Sequence, residues 1–318
     1  MNTEKRVLFG VDDSEFSRQA ITTVGSLLQG NENYKISVFY GAPDPNIPFL
    51  SKTLRLGPRD VEELERICNL EEWKVLEQIR ESLAAVGFGA DRVETICEAK
   101  CNDPADHMIK LAAVEGFETL ALGRRGPARA ERKLMGSVAY KLAHLADERA
   151  FWMIDPRVSS RDVLVALVGA SIGRRVMEHA VRHFAHLTDS RFTFFHVIPP
   201  LPPQYWDDAR ILDAEEREER KNTIDQWMSG YVQRVEAVAN EGRERLVEAG
   251  IPENNILVKV QVQDRGIARD IITEFERGYY GILVMGRKGF KKISQFRLGS
   301  KATKLLHAVH ALAICLVN

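Results

Sequence analysis

Glycines and a hydroxyl held at a fixed interval can cradle a phosphate, and this chain carries such a set twice. Gly123-Arg124-Arg125-Gly126 is followed, after nine intervening residues, by Gly136-Ser137; Gly286-Arg287-Lys288-Gly289 is followed, again after nine, by Gly299-Ser300. Every position of the second set lies 163 residues after its counterpart in the first. Glycine lets backbone amides come close to an anion. A Gly-Ser pair opening a helix adds the free amides and the positive dipole end of that helix. The serine hydroxyl can cap the helix or donate to a phosphate oxygen. Cations fill the intervals: Arg129, Arg132 and Lys133 in the first, Lys291, Lys292 and Arg297 in the second. The chain has no Gly-x-x-x-x-Gly-Lys-Ser/Thr, and the spacing is not that of the dinucleotide fingerprint, so neither of those phosphate sites is read here.

The elements that must position these loops also occur twice. Short runs predict strands, the first of the apolar type buried on both faces: Val7 to Val11, Ile36 to Tyr40, Val93 to Glu98, Thr119 to Leu122 and Phe151 to Ile154 in the first copy. The second copy gives Val163 to Val168, Phe192 to Val197, Leu257 to Val262, Ile282 to Met285 and Ala311 to Val317. Helical patterns separate them. Ala20, Ile21, Val24, Leu27 and Leu28 share one helical face, and Trp73, Leu76, Ile79 and Leu83 share another. A long charged helix is expected over Ala214 to Ala249. Alternating strands and helices imply parallel pairing with right-handed crossovers, hence an α/β fold with an open sheet in each copy. Each glycine loop then starts at the carboxyl end of a strand, where ligands bind in such sheets. The expected domains are residues 1–155 and 156–318, joined through the polar stretch Asp155 to Arg161.

Composition narrows the partners. With 318 residues the chain is long enough for two ordinary cores. A formal net charge of −1 with dispersed charges gives no polyanion-binding stripe, which argues against nucleic acid as the main partner. Four cysteines without dense spacing suit a reducing compartment, and no apolar stretch is long enough for a membrane span. The expected location is the cytoplasm.

The doubled glycine element after the fourth strand, together with Val11-Asp12-Asp13-Ser14 at the end of the first, resembles the universal stress protein family across nearly the whole chain. The resemblance implies two five-stranded parallel, Rossmann-like domains of the adenine nucleotide alpha hydrolase-like type. It implies ATP, with Mg2+, between the first and fourth strands. It also implies antiparallel pairing of the fifth strands, so that a tandem chain forms an intramolecular pseudo-dimer, with a further homodimer open. Carried onto this sequence, Asp12 contacts the adenine region, while Gly123, Gly126, Gly136 and Ser137 hold ribose and phosphates. Gly286, Gly289, Gly299 and Ser300 are their counterparts, and Asp13, Leu122, Arg124, Val138, Met285 and Arg287 complete the candidate set. The second copy departs at one point: Val168-Gly169-Ala170 stands where the first has Asp12-Asp13-Ser14. A hydrogen bond to a charged group is worth about 1.5–3 kcal/mol, roughly ten- to a hundredfold in affinity. The first copy is therefore favoured for adenine, and the second is expected to bind more weakly or to prefer another anion.

Other clusters have plainer readings. Cys97 and Cys101, with His107 beyond, lack a second ligand pair for a metal site, and the cysteines read as buried or incidental thiols. His179, His183 and His186 recur on one helix whose core face is Met177, Ala180, Val181 and Phe184, so they read as a solvent-facing flank. No base-plus-nucleophile pair with defined spacing is visible, so no catalytic residue is assigned. Three functions follow: a nucleotide-responsive stress or regulatory protein, a slow ATPase or phosphotransferase, or a scaffold with relic glycine loops whose long helices bind a protein partner.

Overall fold

The computed structural model describes residues 4–42, 52–53, 57–124, 136–146, 148–167, 170–201, 213–287 and 298–318. The chain divides into two compact units, Met1–Val158 and Ser159–Asn318. The first unit contains β1 (Lys5–Val11), α1 (Glu15–Leu28), β2 (Tyr34–Gly41), α2 (Pro58–Ala85), β3 (Val93–Glu98), α3 (Pro104–Glu115), β4 (Thr119–Gly123), α4 (Ser137–Leu145) and β5 (Ala150–Ile154). The second contains β6 (Val163–Leu167), α5 (Ala170–Phe184), β7 (Phe192–Ile198), α6 (Ala214–Glu248), β8 (Ile256–Val262), α7 (Ile267–Arg277), β9 (Ile282–Gly286), α8 (Ser300–Ala308) and β10 (Ala313–Val317).

Within the first unit the strand order is β3-β2-β1-β4-β5, and within the second β8-β7-β6-β9-β10. All pairs inside each unit are parallel. The reason lies in the strands themselves: Val7, Leu8 and Phe9 of β1 and Val163, Leu164 and Val165 of β6 are fully buried, as suits strands covered by helices on both faces. The chain order reverses direction between β1 and β4, and between β6 and β9. Those two reversals are the topological switch points at which an open α/β sheet leaves a crevice beyond its carboxyl ends.

The helices cover the sheets with the faces their sequences give them. Ala20, Ile21, Val24, Leu27 and Leu28 of α1 are all buried. On α2, Leu76, Ile79 and Leu83 are buried, but Trp73, expected on the same side, is 57% exposed. Length explains this correction. The 28 residues of α2 extend to about 42 Å, whereas the eight residues of β2 reach only about 26 Å. Trp73, on the amino-terminal side of Leu76, the first buried position among the described residues, therefore lies where α2 overhangs the sheet it packs on. The 35-residue α6 behaves alike: its buried residues begin only at Tyr231.

A second correction concerns α5. His179 and His183, expected to face solvent, are buried, with ring centroids 4.1 Å apart. The helix is covered over a wider arc than its apolar stripe of Met177, Ala180, Val181 and Phe184 alone.

Candidate functional site

The first switch point is built from the ends of β1 and β4. The pairing Gly10↔Leu122 sets Asp12 and Arg124 just beyond two neighbouring strand ends. A methyl group on Gly10 would stand 2.5 Å from Leu122 Cδ2 and 2.8 Å from Met108 Sδ, so glycine is what lets the two strands and α3 close up here. Gly123 has a similar packing role: a Cβ there would be 3.0 Å from Ala20 Cβ of α1.

Asp12 organises the turn from β1 into α1. Its Oδ1 accepts from the Ser14 backbone N–H at 3.1 Å and from the Ser14 hydroxyl. Its own N–H donates to Ser17 Oγ at 3.1 Å, and Ser14 Oγ, the helix N-cap, accepts from Ser17 N–H at 3.1 Å. Asp12, Asp13 and Ser14 are exposed at the mouth of the crevice. Asp12 thus holds the turn through one carboxylate oxygen, and Oδ2 has no hydrogen bond among the described residues. Tyr40, at the end of β2 opposite Val11, has its phenol pKa raised by burial and then by the charges of Asp13 and Glu72. The base of the first crevice is therefore acidic.

At the end of β4 the Arg124 N–H donates to the Ile154 carbonyl at 2.6 Å. Burial depresses the pKa of the Arg124 guanidinium, while the neighbouring Asp155 charge works the other way. Asp155 is almost fully buried. Burial pushes its carboxyl up, but bonds from Arg157 Nε at 2.7 Å and Nη2 at 2.5 Å, with the charges of Arg157 and Arg124, hold it below the usual range. Gly126 and the cations Arg129, Arg132 and Lys133 lie outside the described residues.

The other side of the crevice is the start of α4. Gly136 is the N-cap, with ψ 151°, and Ser137 is the first helical residue; no side chain caps the helix. This corrects one of the two roles open to Ser137: at that position its hydroxyl is not the cap. The first-turn amides of Ser137, Val138 and Ala139 face outward from an uncapped end, which is the geometry that receives an anion. Ser137 is exposed and Val138 half-buried.

The second unit repeats the framework. Met285, buried, pairs with Ala166, and Gly286 closes β9 beside Val317. The Arg287 N–H donates to the Val317 carbonyl at 2.6 Å, matching Arg124 on Ile154. The Arg287 carbonyl accepts from Gly299 N–H at 2.9 Å, which ties the start of α8 to the end of β9. Gly299 is again an N-cap without a side-chain cap, and Ser300 the first helical residue. Arg287 is 1% exposed, in contrast to the half-buried Arg124. Gly289, Lys291, Lys292 and Arg297 lie outside the described residues, as do Val168 and Gly169.

One residue of this second crevice escaped the sequence reading. His196, in the apolar strand β7, is 2% exposed and opposite Leu167. Its signal in the sequence is its type: a titratable group inside Phe192-Thr-Phe-Phe-His-Val-Ile198, a run that otherwise reads as core.

The remaining candidates are placed plainly. Cys97 lies in β3, 3.4 Å from Glu72 Oε2, and burial followed by that carboxylate raises its thiol pKa to about 12. Cys101 is buried in the following loop. Among the described residues no three His, Cys, Asp or Glu gather as a metal site, and no helix is long and apolar enough to cross a membrane.

With this geometry in hand, comparison with known proteins is informative. A family model described as the universal stress protein family matches residues 4–148 and 160–311. No curated protein matches the chain. Among solved structures, a universal stress protein from Archaeoglobus fulgidus DSM 4304 is similar with a TM-score of 0.64 at 16% identity, over 99% of this chain and 98% of that one. A functionally unknown protein from Pseudomonas aeruginosa PAO1 is similar with a TM-score of 0.60 at 12% identity, over 99% and 93%. A universal stress protein solved in complex with cAMP overlaps 48% of this chain and 98% of its own, at 18% identity and a TM-score of 0.34. At these identities the two full-length likenesses speak for the fold.

Proposed function

The chain belongs to the universal stress protein family, and on that premise we propose that it binds ATP and works as a nucleotide-responsive regulatory protein. One observation carries the reading. Two crevices at equivalent switch points each face a helix that begins on an uncapped glycine, Gly136 or Gly299. The residues fit a triphosphate: first-turn amides and the Ser137 or Ser300 hydroxyl for phosphate oxygens, the glycine loop after Gly123 or Gly286 for close backbone approach, and the Asp12 carboxylate for a donor on the base or ribose. Mg2+ would arrive with the nucleotide as its counter-ion.

The binding is non-catalytic in this reading, and phosphate release from ATP no faster than from a heat-killed control is expected. Cytoplasmic residence belongs to the same proposal, supported by three free thiols, Cys97, Cys101 and Cys315. So does pairing of the halves through their fifth strands within one chain, which the family resemblance supports; sedimentation would reveal a homodimer instead.

The direct test is to denature freshly purified protein and quantify released nucleotide by ion-exchange chromatography. About one or two adenine nucleotides per chain is the expected result. A protein that emerges empty, and whose unfolding is also unmoved by added Mg-ATP, overturns the proposal.

A further inference from the structure

Strand β8 closes the strand order of the second unit, and its outer edge carries none of the devices that usually guard an edge. Its sequence, Ile256-Leu-Val-Lys-Val-Gln-Val262, has no proline, and its register on β7 runs without a bulge from Phe192↔Ile256 to Ile198↔Val262. Its one charge, Lys259, is held by Glu274 of α7 at 2.6 Å. Val258 is 36% exposed and Val262 61%. A long apolar edge of this kind is a template for a further strand.

The hydrogen bonds fix which backbone groups face outward. Val262 pairs with Ile198, and the Gln263 N–H donates to the Ile198 carbonyl at 3.0 Å. Gln263 therefore turns its backbone groups towards β7, and by alternation so do Gln261, Lys259 and Leu257. Val258, Val260 and Val262 turn theirs away. Ile256 shares their direction, but its N–H is already donated to the Glu253 carbonyl.

We propose that two copies of the chain associate through β8, antiparallel, about a two-fold axis at Val260. Val260 then faces Val260 of the second copy, while Val258 and Val262 face Val262 and Val258. Each of these pairs exchanges two N–H···O=C bonds, so every outward donor and acceptor of the three valines is used. The valine side chains meet on one face of the joined sheets, and Val262 is covered.

Charge and length select this register. With the axis at Val260, Lys259 stands across from Gln261 of the second copy. With the axis at Lys259, the two lysines would oppose each other in the closer kind of pair, and the ladder would call on the N–H that Glu253 holds. With the axis at Gln261, Val258 would lie across from Asp264, beyond the end of the strand. The edge strand of the first unit, β3, is a poorer template. The Ala42 N–H donates to the Glu98 carbonyl beside the pair Gly41↔Glu98, so only Thr95, Cys97 and Val93 turn outward, and the Val93 N–H is donated to Ala90. Glu94 and Glu98 add the charges that guard an edge. A single strand pair covers less than the roughly 1,200 Å² of a standard interface, so the dimer is expected to dissociate on dilution.

The test is sedimentation velocity of the full chain over a dilution series, with hydrogen exchange read residue by residue. The expected result is a species of twice the chain mass that gives way to monomer on dilution. The amides of Val258, Val260 and Val262 should slow as the dimer forms, whereas those of Lys259 and Gln261, bonded to β7, stay protected throughout. Val260→Pro removes an outward donor and no bond to β7, and should leave a monomer. Val260→Lys keeps the donor but sets two ammonium groups across the axis, and should do the same. Val260→Thr keeps a branched side chain and should keep the dimer.

A wild-type chain that stays monomeric at every concentration overturns the proposal. So does a dimer that survives in both the proline and the lysine variants, as pairing through the fifth strands of two chains would. Valine amides that exchange as fast in the dimer as in the monomer overturn it too, and so do assemblies that grow beyond two chains, the mark of β8 pairing with β3 of the next copy.

Discussion

Burial decides what the individual titratable residues do, and His179 shows the sign most plainly. Enclosed in α5 and held beside the Arg182 charge, its imidazole pKa is lowered to about 3 by burial first and by that charge second. The unfolded chain would titrate near 6.5. Below that pH the unfolded state takes a proton that the folded state refuses, so stability is intact above pH 6.5 and falls as the solution is acidified towards 3. Each pH unit in that window costs about 1.4 kcal/mol, so going from pH 6.5 to 5 costs about 2 kcal/mol through this one residue. Urea unfolding at pH 7 and pH 5 measures it. His179→Leu should lose about 2 kcal/mol less than the wild type over that interval. Equal losses in the two proteins would mean that His179 is protonated in the folded state. Asp155 behaves in the opposite sense to a group strained by burial, since Arg157 and Arg124 more than compensate its enclosure.

Elements translate these environments into a site, and they divide the motif glycines into two kinds. Gly123 is a packing glycine: a methyl there meets Ala20 Cβ of α1 at 3.0 Å, so α1 must give way. Gly136 sits at φ −58°, ψ 151°, a conformation open to any residue, so its backbone does not reserve the position for glycine. Gly123→Ala should therefore lower unfolding stability by roughly 1–2 kcal/mol through overpacking. Gly136→Ala should cost only roughly 0.5 kcal/mol as a poorer N-cap yet weaken ATP binding. Chemical denaturation alongside ATP titration of the two variants separates these roles, and equal destabilisation by both would erase the distinction. The same division shows what the sequence makes legible. Strands buried on both faces announce themselves as apolar runs, while the edge strands β3 and β8, largely uncovered, were legible through their place in the strand–helix alternation. Trp73 could not be placed, because its exposure depends on where the sheet ends beneath α2. The solvent-facing reading of His179 failed because apolar spacing marks the centre of a buried arc and not its width. The glycine loops were legible through their spacing, but the N1 position of Ser137 and Ser300 is a backbone fact that spacing alone leaves open. His196 escaped because its strand reads as core, and its bond to the Leu167 carbonyl depends on which strands pair.

Two units with the same framework and different linings would, on the proposed function, give the molecule a countable response to nucleotide. The first crevice is lined at its base by Asp12, Asp13 and Tyr40 with Glu72 near, the second by His196 with Lys301 near. A ligand that binds only folded protein stabilises it by RT ln(1 + [L]/Kd), about 2.7 kcal/mol at a hundredfold excess over Kd. For a unit of this size, that shifts the melting temperature by roughly 5–10 °C. Differential scanning calorimetry with Mg-ATP in that excess should therefore move the unfolding of both units when both crevices take nucleotide. Asp12→Ala should remove the part belonging to the first unit while leaving the second responsive, because the second unit has Val168 in place of that aspartate and cannot depend on it. A thermogram in which Asp12→Ala abolishes every ATP-induced shift would show that the duplicated crevices amount to one nucleotide site. A shift that survives in the second unit would show that the duplication kept two.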